Sequence, residues 1–62
     1  MTIEEVIQTV EDQAGQRVTL ETQLSELGLD SLEFLDLLVQ IGIPDTMAPS
    51  LHTVKDIFLA AQ

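Results

Sequence analysis

Apolar residues recur with the spacing of an amphipathic helix at the start of the chain. They follow i, i+3, i+4, i+7 spacing and are Ile3, Val6, Ile7, Val10 and Ala14. Thr2 and Glu5 have the spacing of a capping box, and Gly15 is a stop signal. The pattern predicts a first helix that begins after Thr2 and ends at Gly15.

The helical period is lost between Gly15 and Leu29. Apolar residues still recur every few positions in this connection; they are Val18, Leu20, Leu24 and Leu27. We therefore predict an ordered connection that packs its leucines against the rest of the protein rather than a mobile linker.

A turn at Gly28 brings Ser31 to the start of a second predicted helix. Asp30 is a suitable N-cap, and Glu33 stands three residues later, where a capping box needs it. The Ser31 hydroxyl is therefore expected to be exposed in the first helical turn. Its sequence neighbours are carboxylates, and the single histidine, His52, lies in another segment. Since no neighbouring residue could take its proton, Ser31 is expected to be a residue that another protein modifies.

The second helix is predicted to run to about Gln40 or Ile41 and to end at Gly42. Most of its circumference is apolar, with Leu32, Phe34, Leu35, Leu37, Leu38 and Val39. Its polar stripe is narrow and consists of Glu33, Asp36 and Gln40. A helix this apolar is expected to be buried on more than one side.

The remaining chain holds one short helical turn and a last helix. The turn follows Pro44 and is expected to stop before Pro49, and Thr53 is expected to cap the last helix together with Asp56. The inner face of that helix is predicted to consist of Val54, Ile57, Phe58 and Ala61. These elements predict an all-α fold, a small antiparallel bundle of three main helices plus a short helical turn, in a single domain over residues 1–62.

Charge and composition narrow the functional classes. The chain has no cysteine, so it can form neither a disulfide nor a thiolate metal site, and no metal site is expected. Eleven acidic and two basic residues give a formal net charge of −9. This charge argues against nucleic acid and anionic membranes as partners and favours a basic surface on another protein. The N-terminus is acidic and no apolar run could span a bilayer, so a soluble, cytoplasmic monomer without membrane insertion is expected.

Residues 27–32, LGLDSL, closely resemble the attachment-site motif of acyl carrier proteins. The likeness continues at residues 3–6, IEEV, which resemble the first helix of that family. Residues 43–45, IPD, and 53–57, TVKDI, resemble its third and fourth helical segments. Because the matches occur in the family's order, the chain resembles an acyl-type member of it.

The resemblance implies a carrier rather than an enzyme, with no catalytic residue. In that family the serine of the motif, here Ser31, carries 4′-phosphopantetheine, which a phosphopantetheinyl transferase takes from coenzyme A; Asp30 belongs to the same motif. Acyl groups are then held as thioesters and presented to acyl-loading and acyl-using enzymes with basic docking surfaces. The implied pathways are fatty acid, related lipid or polyketide biosynthesis. The residues implied for docking are Glu33 and Asp36.

Six apolar residues are candidates to line an acyl pocket, although core packing is the stronger expectation for most of them. They are Phe34, Leu35, Leu38, Val39, Met47 and Phe58. Between Ser31 and Ile43 the chain is shorter than typical acyl carrier proteins by about one and a half helical turns. The first loop is also shorter, and the acidic end of the second helix is missing. A shallow acyl pocket and altered partner recognition are therefore expected.

Two alternatives stay open at this point. The chain could be a carrier-like domain that is not modified on Ser31 and acts by protein interaction, or an unrelated acidic helical adaptor. Glu33 and Asp36 could likewise form only the solvated face of a helix. A mass measurement after incubation with coenzyme A and a transferase separates the carrier from both alternatives.

Overall fold

The computed structural model describes all 62 residues and consists of helices and connections. Its three α-helices are α1 (Ile3–Ala14), α2 (Ser31–Ile41) and α3 (Val54–Ala60). Two 3₁₀ helices, Leu24–Leu27 and Asp45–Ser50, lie between them. None of these helices has both the length and the apolar character that crossing a bilayer requires. The predicted all-α class, with three main helices, is confirmed.

Each α-helix begins with the capping box that its sequence predicts. In every case the cap side chain accepts the amide of the third helical residue, whose own side chain accepts the cap amide. The three pairs are Thr2 with Glu5, Asp30 with Glu33, and Thr53 with Asp56. α1 and α2 end at Gly15 and Gly42, whose φ angles of 70° and 92° are left-handed and favour glycine. The predicted starts and ends of α1 and α2 are confirmed.

The core is built from aliphatic side chains alone. Its 11 buried residues are Val6, Val10, Val18, Leu24, Leu27, Leu37, Leu38, Ile43, Leu51, Val54 and Ile57. Phe34 and Phe58 are half-buried against this cluster, and no polar side chain is buried. Stability therefore depends on the packing of small hydrocarbon groups.

The connection from 15 to 29 is packed, as predicted. It contributes Val18, Leu24 and Leu27 to the core, with Leu20 half-buried beside them. Main-chain hydrogen bonds also fix this connection to the start of α3. They join the Leu24 amide to the His52 carbonyl (2.8 Å), the Val54 amide to the Thr22 carbonyl (3.1 Å) and the Lys55 amide to the Leu20 carbonyl (2.9 Å).

The expectation of a single helical turn ending before Pro49 is wrong. The 3₁₀ helix Asp45–Ser50 passes through Pro49. Proline lacks only its own amide, and the donors on either side keep their partners. The Met47 amide bonds to the Pro44 carbonyl at 3.1 Å, and the Leu51 amide bonds to the Ala48 carbonyl at 3.1 Å.

The expectation that α2 is buried on more than one side is also wrong. Leu37 and Leu38 are buried, but Leu32 is 78% exposed and Val39 is 76% exposed. These two leave the helix in nearly the same direction, because they are seven residues apart, close to two helical turns. α1 and the second 3₁₀ helix pack on the opposite side. No element of this short chain covers the Leu32 side.

Candidate functional site

Ser31 is the first residue of α2 and directly follows the N-cap Asp30. The Glu33 amide donates to Asp30 Oδ1 at 2.8 Å, and the Asp30 amide donates to Glu33 Oε1 at 3.0 Å. These two bonds fix the backbone on both sides of Ser31, and its side chain is exposed. The sequence prediction of an exposed serine at a capped helix start is confirmed.

The Ser31 hydroxyl makes no hydrogen bond within the protein. The carboxylates of Asp30 and Glu33 accept backbone amides instead. His52 is exposed near the start of α3, where its amide donates to Asp56 Oδ2 at 2.9 Å. Ser31 thus has an accessible oxygen but no base of this chain bonded to it, an arrangement that suits a modified residue better than a catalytic nucleophile.

Two backbone amides beside Ser31 are free. The amides of Ser31 and Leu32 have no acceptor in the protein, whereas the next amide along the chain is capped by Asp30. Free amides at a helix start carry partial positive charge and bind anionic oxygens. A phosphate group on the Ser31 oxygen would therefore have two neutral donors within the same helical turn.

A cavity of about 230 Å³ opens beside Ser31, and it is the single cavity that the structure contains. Its walls come from the 15–29 connection, the start of α2 and the segment before α3. The lining residues are Leu24, Ser25, Leu29, Asp30, Ser31, Phe34 and Leu51. The cavity therefore combines an apolar wall with polar groups that include the candidate attachment residue.

Among the six candidates for an acyl pocket, only Phe34 lines this cavity. The other five are Leu35, Leu38, Val39, Met47 and Phe58. Leu38 belongs to the core, and Leu35 and Phe58 pack against it. Val39 and Met47 are exposed on the surface. Core packing was the stronger expectation for most of the six, and it accounts for Leu35, Leu38 and Phe58. None of these five residues lines the cavity.

The sequence reasoning missed four of the lining residues. Leu24, Ser25 and Leu29 lie within seven positions of Ser31 in the chain, so their proximity was a usable signal. Leu51 carries no such signal. It reaches the cavity because the Leu24 amide bonds to the carbonyl of the neighbouring His52.

The two predicted docking carboxylates differ in their surroundings. Glu33 is exposed, but one of its oxygens is held in the α2 capping box. Asp36 is also exposed and lies on the outward ridge of α2, between Leu32 and Val39. Its only bond is to a side chain, the Gln40 amide at 3.1 Å. Of the two, Asp36 is better placed to meet a partner.

A family sequence model described as the phosphopantetheine attachment site matches residues 2–42. The match covers more than half of the chain and includes α1, the 15–29 connection and α2. The chain belongs to this family. Comparisons with curated proteins and with solved structures gave no match.

Proteins of the phosphopantetheine attachment-site family carry 4′-phosphopantetheine covalently and act as carriers. The expected cofactor is thereby confirmed. Carrier proteins of this family interact with phosphopantetheinyl transferase and with acyl enzymes. The family relationship thus establishes a phosphopantetheine-carrying protein.

The residues around Ser31 fit this cofactor. An exposed hydroxyl provides an attachment oxygen, and the two free amides of Ser31 and Leu32 are suitable donors for its phosphate group. The Asp30 carboxylate is the unfavourable neighbour, because it repels a phosphate. Its bond to the Glu33 amide partly offsets this charge.

Proposed function

We propose that this chain is an acyl carrier protein and that Ser31 holds its 4′-phosphopantetheine arm. The whole chain, residues 1–62, acts as one carrier domain. It holds acyl groups as thioesters and presents them to enzymes of fatty acid, related lipid or polyketide biosynthesis. The observation that carries this proposal is the exposed, unbonded Ser31 hydroxyl at the first position of α2, inside the segment that matches the family.

Each residue of the site has a separate task in this proposal. Ser31 supplies the attachment oxygen, and Asp30 and Glu33 hold the helical turn around it through their capping box. The arm, when bound, supplies a thiol for thioester formation. The chain has no base bonded to the Ser31 hydroxyl, so the group that removes its proton belongs to the transferase.

Presentation of the acyl group then depends on effective concentration. A tethered thioester stays near any enzyme that binds the carrier surface, which raises its concentration at that active site without new chemistry by the carrier. The acidic surface favours fast encounter with basic partners, because opposite charges steer association. This is consistent with a carrier that must meet several enzymes in turn.

The experiment that tests the proposal is intact mass spectrometry after incubation with coenzyme A and a promiscuous transferase. We expect the wild-type protein to gain the mass of one phosphopantetheinyl group. Ser31→Ala is expected to abolish the gain without loss of helical content, since this side chain is exposed and its hydroxyl makes no hydrogen bond.

The chain provides a matched control in Ser50, a serine that is also exposed and does not line the cavity. Ser50→Ala should retain the mass gain. A wild-type protein that several transferases leave unmodified would refute the carrier and favour the adaptor alternative.

A further inference from the structure

The cavity beside Ser31 is not explained by attachment alone. We infer that it seats the proximal segment of the phosphopantetheine arm, the dimethyl-bearing group that follows the phosphate, rather than the acyl group at the far end. This inference rests on the proposed attachment at Ser31. It assigns a binding role to Leu24, Ser25 and Leu51, which lie outside the attachment motif, and to Leu29, which lies within it.

Cavity size and chemistry match that segment. The volume of about 230 Å³ exceeds that of an engineered apolar cavity of about 150 Å³ that takes up benzene. A quaternary carbon with two methyl groups is a compact apolar unit comparable in size with benzene. It carries a neighbouring hydroxyl and an amide, so it needs both an apolar wall and a polar rim. Leu24, Leu51 and Phe34 provide the wall, and Ser25 lies among the polar lining groups.

Proximity favours the near end of the arm over the far end. Ser31 itself lines the cavity, so the atoms next to the phosphate reach it with few torsions to fix. The acyl group is separated from Ser31 by the whole arm, and returning it to the cavity would close a long flexible loop and immobilise many torsions. The cavity is also open to solvent at Ser31, which is exposed. The proximal segment is therefore the favoured occupant.

Ser25 is the residue that positions this segment. Its hydroxyl makes no hydrogen bond within the protein, although it lines the same cavity as Ser31. The neutral serine can bond to the hydroxyl or amide of the arm without adding charge. Besides the attachment residue Ser31, the lining has one other polar side chain, Asp30, which already accepts a hydrogen bond from the Glu33 amide.

The two phenylalanines of the chain make the inference testable by NMR. Phe34 lines the cavity and Phe58 does not. In the modified wild-type protein, with an isotope-labelled arm, we expect two separate methyl resonances displaced from their positions in free coenzyme A. We also expect nuclear Overhauser contacts from those methyls to Leu24 and Leu51. Phe34→Leu should remove most of the displacement by removing the ring current, and the control Phe58→Leu should leave it in place.

Ser25 is tested in the same spectra. Ser25→Ala should weaken the contacts between the arm methyls and Leu51, Ser25→Thr should restore them, and Ser50→Ala should leave them unchanged. Threonine keeps the hydroxyl that alanine lacks. If the fold is unchanged in all three variants, rescue by threonine therefore assigns the lost contacts to the hydroxyl and not to a change in the fold.

Failure of the inference and failure of the proposed function give different results. Without a mass gain on Ser31, the proposed function fails before any spectrum is recorded. With the gain present, arm methyls at their free positions and without contacts to the cavity would overturn the inference. Contacts from a loaded acyl tail in place of the arm methyls would overturn it too, because they would assign the cavity to the far end.

Discussion

At the scale of single residues, an exposed carboxylate is informative only when its bonds are known. Glu33 and Asp36 look equivalent in sequence, as acidic positions one helical turn apart on an acidic face. The structure separates them, because Glu33 bonds to the backbone of the helix start and Asp36 bonds only to the Gln40 side chain. Substituting Glu33 would disturb the cap as well as the surface, so Asp36 gives the cleaner test of docking.

We predict that Asp36→Lys slows phosphopantetheinylation several-fold at low salt. Asp36 lies between the exposed side chains Leu32 and Val39, on the outward ridge of the helix that begins at Ser31. The measurement is the rate of mass gain at low and high ionic strength. The difference from wild type should shrink at high salt, because charges are screened within about 3 Å at 1 M.

The matched control for this variant is Glu4→Lys, which makes the same change in charge on α1. Glu4 is exposed and makes no side-chain hydrogen bond. Equal slowing by both variants would assign the effect to net charge alone. Unchanged rates in Asp36→Lys would assign Asp36 to the solvated face and contradict its docking role.

At the scale of elements, the sequence predicted helix starts well and helix surroundings poorly. The three capping boxes are local, since each needs only a cap residue and a partner three positions later. The exposure of Leu32 and Val39 is not local, because it depends on how many other elements are available to cover α2. The path of the 3₁₀ helix through Pro49 was missed for a different reason. A proline rule made for α-helices is too strict for a short 3₁₀ segment.

We predict that the start of α3 loses stability in acid through Asp56. One carboxylate oxygen of Asp56 accepts the amides of His52 (2.9 Å) and Thr53 (3.1 Å). These bonds, led by the one from His52, hold the pKa of Asp56 below its ordinary value of 3.8. A lowered folded-state pKa means that the charged form stabilises the fold above the ordinary value. That contribution is lost as the pH falls through the lowered pKa.

The measurement for Asp56 is the thermal midpoint of wild type and of Asp56→Asn as a function of pH. At pH 7 wild type should have the higher midpoint, and the gap should narrow as the pH falls below 3.8 through the lowered pKa of Asp56. The comparison between variants removes the general effect of neutralising other carboxylates. Asp45→Asn is the control, because Asp45 makes no side-chain hydrogen bond, and its gap to wild type should lack this closing pattern. A gap between wild type and Asp56→Asn that does not narrow in acid would contradict the prediction.

At the scale of the whole molecule, the sequence predicted the fold class but not the cavity. Helical periodicity and caps define elements, and the aliphatic positions of α1 and the 15–29 connection identify much of the core. The cavity forms where Leu51 is brought beside Leu24, and that contact depends on main-chain bonds between distant segments. Main-chain hydrogen bonds between distant segments cannot be predicted from the pattern of apolar and polar side chains. The candidate attachment serine could therefore be predicted from the sequence, whereas the apolar lining of the cavity beside it could not.

The excess of negative charge over the whole surface should destabilise the fold at low salt. Eleven acidic residues and two basic ones lie within a molecule of 26 × 24 × 17 Å. At 0.01 M salt the screening length of about 30 Å exceeds the longest of these dimensions, so every carboxylate repels every other. At 1 M the length is about 3 Å and the repulsion is nearly gone. Since unfolding separates the charges, the thermal midpoint should rise with sodium chloride over this range. The variant Glu21→Lys, at an exposed position outside the α-helices, should start from a higher midpoint and rise less. A midpoint that is flat or falls with salt, or a far larger rise with magnesium at equal ionic strength, would contradict diffuse screening as the cause.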